Sequence, residues 1–277
     1  MGYGIATAPE ATKVQVDRLT QLLREAFGAS LLGVVLHGSL STDSFQPERS
    51  DLDLLAVVEG AASEEAKRSL ALGLLALSGA PHPVDLYVCG ASELRTWRQP
   101  CRYAFHYAEA WRQRFEAAIA IAGTPDGPDG EAAWRLRALE AFAGGTDDVL
   151  AARVRAARDR GVSLHGARRE EALPAVPDAV VRAAMYAGAD APFRDVSKRP
   201  VDAVLDWLRA LRFAADGAVV SKEEAGAWGM LSMPLHIEVV ADALKLYRRP
   251  EPREALHFDV EPLQAFLRAC RARRASF

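Results

Sequence analysis

Two short motifs on either side of a polar loop constrain this chain most. The apolar run 31–36 ends in a His-Gly-Ser turn at 37–39, and a Ser-Asp-Leu-Asp sequence at 50–53 opens a second apolar run. Residues i and i+2 of a strand face the same side, so Asp51 and Asp53 are predicted to point the same way. Neighbouring carboxylates repel each other unless a cation lies between them, and their oxygens suit a divalent cation. The pattern therefore predicts a metal site where a strand begins.

A phosphate-binding turn is predicted beside this metal site. Gly38 allows the backbone to come close to a phosphate, and Ser39 supplies a hydroxyl that donates to it. A metal site next to such a turn indicates nucleotide chemistry. The chain has no GxxxxGKS/T, GxGxxG or HExxH sequence, which argues against P-loop, Rossmann and zincin chemistry.

Composition bounds the partners and the compartment. Because 50% of its 277 residues are hydrophobic, the chain can bury one large core or two modest ones. A net charge of −3 gives no basic surface for nucleic acid. Three scattered cysteines fit a reducing compartment, no signal-peptide pattern is present, and no apolar run is long enough to span a bilayer. We therefore expect a soluble, cytoplasmic monomer with no nucleic-acid or membrane partner.

The first 90 residues alternate between helix and strand patterns. The predicted elements, in order, are helix 11–28, strand 31–37, strand 52–58, helix 63–77 and strand 84–88. Beyond Ser92 no further strand is predicted. The Ala-, Leu- and Arg-rich segment 135–160 is expected to be helical, with an interruption near 144–145.

The second half of the chain is predicted to be helical. Two prolines within 173–178 mark a domain boundary. The predicted helices that follow are 178–187, 200–215, 222–230, 235–247 and 260–274. We therefore expect an α/β domain with a mixed sheet and helices over 1–172, and an all-α helical bundle over 173–277.

Asp85 is a third acidic residue of interest. It lies in the predicted strand 84–88, where a lone Asp is poorly favoured. If this strand pairs with the strand 52–58, Asp85 comes close to Asp51 and Asp53. The alternative is an edge strand from which Asp85 faces solvent, as most aspartates do. The six histidines show no ligand spacing.

The motifs together resemble a known family. Gly38-Ser39, the 50–53 motif and Asp85 resemble nucleotidyltransferases of the DNA polymerase beta type. The 163–166 sequence Ser-Leu-His-Gly and the segment 214–230, with its Ser-Lys pair and its Trp and Met, resemble the bacterial streptomycin/spectinomycin adenylyltransferases. The resemblance covers residues 11 to 270, and the segment around the Ser-Lys pair selects this family over other nucleotidyltransferases.

The resemblance implies roles for individual residues. Asp51 and Asp53 would bind Mg²⁺, and Asp85 would be the general base or a further metal ligand; the family more often has Glu at that position. The positions that match nucleotide-binding residues of the family are Gly38, Ser39, Ser50, Arg209, Lys222 and Tyr247. Without the resemblance, Arg209 and Lys222 read as solvated surface charge.

The predicted acceptor site is less complete. Glu109 and Trp111 resemble the Glu-x-Trp part of the family's drug pocket, with one residue inserted, and Asp202 stands where the family usually has Asn. The alternative for Trp111 is a plain core residue. The family's streptomycin-binding Trp and acidic residues are not matched, and Arg199 near that place is unfavourable for a cationic drug. Spectinomycin is therefore favoured over streptomycin.

The predicted function is the transfer of AMP from ATP, with Mg²⁺, to a hydroxyl of a cationic aminoglycoside or aminocyclitol antibiotic, with release of pyrophosphate. Two alternatives remain open. One is a nucleotidyltransferase that acts on another hydroxylated metabolite or on a protein side chain. The other is a nucleotide-binding regulator without catalytic activity, against which the intact set of three acids argues.

Overall fold

The computed structural model of the chain describes residues 2–122, 142–190, 199–249 and 258–276. The helices of these segments are α1 Glu10–Phe27, α2 Glu64–Leu77, α3 Ala91–Arg95, α4 Arg112–Ala122, α5 Leu150–Arg160, α6 Arg169–Ala172, α7 Asp178–Asp190, α8 Pro200–Asp216, α9 Lys222–Ser232, α10 Ile237–Tyr247 and α11 Val260–Arg274. The strands are β1 Leu31–His37, β2 Leu52–Val58, β3 Val84–Gly90, β4 Cys101–Tyr103, β5 Phe105–Ala108, β6 Gly145–Asp147 and β7 Val162–Gly166.

A mixed five-stranded sheet forms the centre of the N-terminal half. Its strand order is β5-β3-β2-β1-β7, and a separate pair joins β4 to β6. Strands β2 and β3 run parallel, whereas β1 pairs with both β2 and β7, and β3 with β5, in the antiparallel sense. The central strands are continuous apolar runs because helices cover both faces of the sheet.

The two faces of the sheet have separate hydrophobic cores. Helices α1 and α2 cover one face with residues such as Leu19 and Leu70, both almost fully buried. On the other face, Leu150 and Val154 of α5 pack together with Val181 of α7. Each helix presents its apolar stripe to the sheet, as the periodicity of its sequence predicts.

The C-terminal half is a helical bundle around α8. Its side chains are buried over most of its length, and Trp207 and Leu208 lie fully inside. Helices α9, α10 and α11 pack around it. Helix α9 begins with a capping box in which Ser221 and Glu224 satisfy each other's backbone N–H groups. The prediction of a mixed α/β domain followed by a helical bundle is confirmed.

The prediction that no strand follows Ser92 is wrong. Four strands do, and two of them, β5 and β7, form the edges of the main sheet. They have three to five residues each, too few to establish a clear period in the sequence. Within the predicted helix 135–160, residues 145–147 form a strand, helix α5 occupies the end, and 135–141 lie outside the described residues.

The division of the chain at 172/173 stays a prediction. Val181 of α7 and Phe213 of α8 lie in the hydrophobic cluster that also contains Val35 and Leu55 of the sheet. The helices after the predicted boundary therefore share a core with the strands before it. Within the described segments, no helix has the length and apolar character that crossing a bilayer requires.

Candidate active site

The parallel pairing of β2 and β3 brings two carboxylates together. Asp53 lies opposite Asp85 in the strand register. Each strand is buried at every position except its second, which is the position of these two acids. Strand β3 is not an edge strand, because β5 pairs with it on its other side. The side chain of Asp85 is only 15% exposed, so the solvent-facing alternative is wrong.

Asp51 and Asp53 differ in their surroundings. Asp51 precedes β2 and is exposed. Burial, together with the charges of Asp85 and Asp51, raises the pKa of the Asp53 carboxyl to about 7, although Arg153 opposes this rise. Any cation that binds this carboxyl group stabilises its charged form.

Gly38 makes room for the Asp53 carboxylate. Its φ of +72° lies in the left-handed region, and a Cβ built on it would stand 2.0 Å from Asp53 Oδ2. Only glycine accepts both conditions at low cost. Gly38 therefore leaves the space that the Asp53 carboxylate occupies.

The loop after Gly38 is held by its own hydroxyl groups. The carbonyl of Ser39 accepts from the backbone N–H of Ser44 at 3.0 Å. The hydroxyl of Ser50 accepts from the backbone N–H of Gln46 at 2.9 Å, which leaves its own proton for donation. Both predicted phosphate-contacting serines thus lie in a fixed loop that ends at Asp51.

Arg153 bridges the two paired acids. Its Nη2 is 2.9 Å from Asp85 Oδ2 and its Nη1 is 3.4 Å from Asp53 Oδ1. Its guanidinium carbon also lies 5.2 Å from the centroid of the Tyr87 ring. Arg153 is not among the site residues predicted from the sequence. A signal existed, because Arg153 follows Leu150 at helical spacing and so lies on the buried side of α5.

His106 is a second partner of Asp85 that the sequence analysis missed. Its Nε2 lies 2.9 Å from Asp85 Oδ1, and its ring stacks on Tyr87 with a centroid distance of 3.7 Å. Burial alone would raise the pKa of Asp85, but Arg153 and His106 outweigh burial and lower it to about 2. The sequence carried no clear signal for His106, because the four residues of β5 are too few to establish a period.

His37 lies beneath the same site. It pairs with Asp53 in the register of β1 and β2 and is almost completely buried. Burial and the nearby charge of Arg153 lower its pKa to about 3, so the ring is neutral at physiological pH. Its Nε2 has no hydrogen-bond partner among the described residues.

The predicted cations of the helical half contact groups of the bundle itself. Lys222 Nζ lies 2.6 Å from Asp202 Oδ1 and 3.5 Å from Asp206 Oδ2. Asp202 is 2% exposed and also lies 3.2 Å from Arg199 Nε. Arg209 donates to the Val220 carbonyl at 3.1 Å.

The charge of Arg209, a residue of α8, also affects residues of the sheet. Its charge lowers the pKa values of His37 and Asp53, although these residues belong to the sheet. The structure therefore brings Arg209 near the acid pair, whereas the contacts described for Lys222 lie within the helical half.

Tyr247 connects the bundle with the loop before Asp51. Its ring lies 5.1 Å from the guanidinium carbon of Arg49, and Arg49 Nη1 donates to the Leu246 carbonyl at 3.3 Å. Arg49 immediately precedes Ser50. The structure therefore places the predicted nucleotide residue Tyr247 next to the predicted phosphate loop.

Glu109 and Trp111, the predicted acceptor residues, follow β5. Glu109 accepts from Arg112 Nε at 2.6 Å and from the Tyr107 hydroxyl at 3.2 Å. Its pKa, which burial would raise, is lowered mainly by the hydrogen bond from Arg112. The Trp111 ring lies 4.5 Å from the His106 ring and also packs against the sheet core. His106 thus contacts both Trp111 and Asp85.

The acids fit a divalent cation only in part. Within the described residues, no group of three His, Cys, Asp or Glu side chains is arranged to hold a metal ion. Both oxygens of Asp85 are engaged, one by His106 and one by Arg153. The pair that fits is Asp51 and Asp53. Burial, with the charges of Asp85 and Asp51, raises the pKa of Asp53, and a bound cation would lower it. The predicted ligand role of Asp85 stays a prediction.

Two family models match the chain. Residues 16–104 match the nucleotidyltransferase domain, and residues 171–273 match the C-terminal domain of aminoglycoside adenylyltransferases. The first match contains the acid pair and the Gly38 turn, and the second contains Arg209, Lys222 and Tyr247. The resemblance inferred from the motifs is confirmed.

Relatives of similar length share this organisation. A spectinomycin 9-adenylyltransferase of Staphylococcus aureus is 24% identical over 263 residues, which cover 92% of this chain and 93% of that protein. One from Campylobacter jejuni is 20% identical over 79% of each chain. A crystal structure of a spectinomycin adenyltransferase from Enterococcus faecialis, with ATP and spectinomycin, matches with a TM-score of 0.73 and 19% identity. That match covers 95% of this chain and 99% of the other, and it shows a common fold.

Proposed function

We propose that this chain is a member of the aminoglycoside adenylyltransferase family that transfers AMP from ATP to a hydroxyl of spectinomycin or a similar small aminocyclitol and releases pyrophosphate. The observation that carries the proposal is the register pair of Asp53 and Asp85 beside the turn at Gly38. The relatives named as spectinomycin 9-adenylyltransferases support the choice of acceptor.

The triphosphate would lie between the loop 39–50 and the helical bundle. Ser39 and Ser50 offer hydroxyl donors from the loop, and Arg209 offers positive charge from the facing side. Lys222 would have to exchange its partner Asp202 for a phosphate oxygen. Such charged donors stabilise the charge that develops on the phosphates during transfer.

Asp51 and Asp53 would hold Mg²⁺. When bound, this ion neutralises the triphosphate and stabilises the leaving pyrophosphate. The raised pKa of Asp53 supports the assignment, because burial and the neighbouring acids cause it and a bound cation would offset both.

Asp85 would receive the acceptor hydroxyl. Its low pKa keeps it ionised at physiological pH, so it can accept the hydroxyl hydrogen bond and orient the oxygen towards the phosphate. The same low pKa makes it a weak proton acceptor, which places its contribution at the lower end of general-base catalysis. Arg153 and His106 hold its side chain in one orientation.

The charges near the bundle favour a small acceptor. The Arg199 side chain is 58% exposed, and the acid beside it, Asp202, is buried between Arg199 and Lys222. A polycationic drug that reached this place would meet an exposed cation and an acid that is already paired. A smaller aminocyclitol that stays near Asp85 and Trp111 avoids this repulsion.

The proposal is tested by pyrophosphate release from ATP with spectinomycin, streptomycin and other aminoglycosides, together with the mass of each product. Release with spectinomycin, and a product heavier by one AMP, are expected. Resistance of a sensitive host that expresses the protein provides a second readout. The matched control is Asp53→Asn, which preserves shape and removes the charge.

Two results would contradict the proposal. Turnover with a metabolite extract but with none of the drugs would indicate a nucleotidyltransferase with another acceptor. Binding of ATP with no pyrophosphate release from any acceptor would indicate a regulator without catalytic activity.

A further inference from the structure

The acid pair already contains a cation that the chain itself supplies. Arg153 contacts one oxygen of Asp53 and one of Asp85; both contacts are ion pairs within 3.4 Å, and the contact with Asp53 is also a hydrogen bond. A planar guanidinium can bridge two carboxylates in this way, whereas a lysine ammonium lacks the fork geometry. The space between the two acids, where a cation is most needed, is thus taken by Arg153.

Arg153 is held there by a rigid support. Its helix α5 packs through Leu150 and Val154, both fully buried. The backbone N–H of Val149, just before this helix, donates to Asp147 Oδ1 at 2.8 Å, and Asp147 also accepts from the Tyr87 hydroxyl. The start of α5 is therefore tied to β3, the strand that carries Asp85.

The position of the Arg153 guanidinium disfavours a second divalent ion between Asp53 and Asp85. Its Nη2 lies 2.9 Å from Asp85 Oδ2 and its Nη1 lies 3.4 Å from Asp53 Oδ1, so a positive charge already stands between these two carboxylates. A second divalent ion would have to share the buried space with a guanidinium, at a high desolvation and repulsion cost.

We infer that Arg153 is a built-in cation that occupies the space between Asp53 and Asp85, so that the nucleotide-loaded enzyme binds one divalent ion, at Asp51 and Asp53, and not two. The inference rests on the proposed function, since it concerns the metal site of the same reaction. It makes Arg153 a positioning residue for Asp85, whose Oδ2 it contacts at 2.9 Å.

The test counts bound Mn²⁺ by electron paramagnetic resonance, with the full chain and a non-hydrolysable ATP analogue. One Mn²⁺ per chain is expected for the unsubstituted protein. Arg153→Met removes the charge at similar length, and two Mn²⁺ per chain are expected. Arg153→Lys keeps the positive charge and is expected to bind one.

Arg155→Met is the matched control. Arg155 lies on the same helix but pairs with Asp159 and Asp178, away from the acid pair. One Mn²⁺ is expected for this variant. A merely structural role of Arg153 would not raise the count of bound ions, so the gain of a second ion distinguishes the two roles.

Every outcome of this experiment either supports or contradicts the inference. Two ions in the unsubstituted protein, or none, would overturn the inference even if Arg153→Met failed to fold. One ion in a folded Arg153→Met would also overturn it, because the vacated space then attracts no metal. Two ions together with pyrophosphate release on spectinomycin would leave the proposed function intact. One ion without AMP transfer to any acceptor would instead contradict the proposed function.

Discussion

The acidic end of the sheet and the cationic end of the helical bundle differ in how their charges are paired. Asp53 and Asp85 lie on neighbouring strands, and their bridging cation, Arg153, comes from a distant helix. Lys222 pairs with Asp202 of the adjacent helix in the same bundle. The pKa of Asp53 is nevertheless raised to about 7, because burial and the neighbouring acids outweigh Arg153, whereas Lys222 has two carboxylates within 3.5 Å.

More binding free energy is available at Asp53 than at Lys222. A cation that reaches Asp53 relieves repulsion among acids, which favours binding. A phosphate that reaches Lys222 has to replace an existing carboxylate partner, which costs part of the gain. We therefore expect substitutions at the sheet to affect turnover strongly and substitutions at the bundle to affect nucleotide affinity modestly.

The largest effect is expected for Asp53→Asn. The substitution removes the charge that Arg153 contacts and that the proposed divalent ion would contact, so turnover should fall by roughly 10³-fold or more. Steady-state pyrophosphate release with spectinomycin measures the change. Asp17→Asn, on the exposed side of α1, is the control and should retain full activity. Normal turnover of Asp53→Asn would remove the acid pair from the mechanism.

Asp85→Asn should follow, with a loss in turnover of about 10²-fold, because a carboxylate with a pKa of about 2 is a weak base. The Kd for ATP should stay within about twofold, since the proposed partner of Asp85 is the acceptor hydroxyl and not the phosphates. Separate measurements of kcat and of ATP binding distinguish the two. Loss of ATP binding would make Asp85 a nucleotide or metal ligand.

Gly38→Ala should lower the free energy of unfolding by about 1–3 kcal/mol, as expected for an L-residue in the left-handed region, and should also displace the Asp53 carboxylate. Gly60→Ala is a matched control, because Gly60 has the same φ of +72° with no atom within 4 Å of the added Cβ. Chemical denaturation and turnover are measured for both. Equal activity of the two variants would show that the contact with Asp53 is unimportant.

The smallest effect is expected for Lys222→Met. We expect the Kd for ATP to rise about tenfold, the loss of one charged hydrogen bond. Arg248→Met removes a nearby, largely exposed cation that pairs with Glu223, and it should leave the Kd unchanged. Isothermal titration measures both variants, and thermal melting confirms that they fold. An unchanged Kd for Lys222→Met would leave this lysine with a structural role, as the partner of Asp202.

Much of the scaffold could be predicted from local patterns. The three long strands and the helices of the bundle follow from apolar periodicity over seven or more residues. The short strands β5 and β7 could not be predicted in this way, because four or five residues give no clear period and neighbouring strands decide their conformation. With β5 missed, His106 was missed as a partner of Asp85.

Local sequence is enough to predict that two acids share one face at the start of a strand and that a glycine turn lies beside them. Strand alternation and the left-handed glycine are local properties, so adjacent residues suffice to predict them. Which charges form pairs depends on the tertiary structure. Arg153 lies 100 positions from Asp53 in the chain, and Lys222 lies 20 from Asp202. These pairs exist because helix packing brings distant side chains into one low-dielectric space, where an unpaired charge is costly.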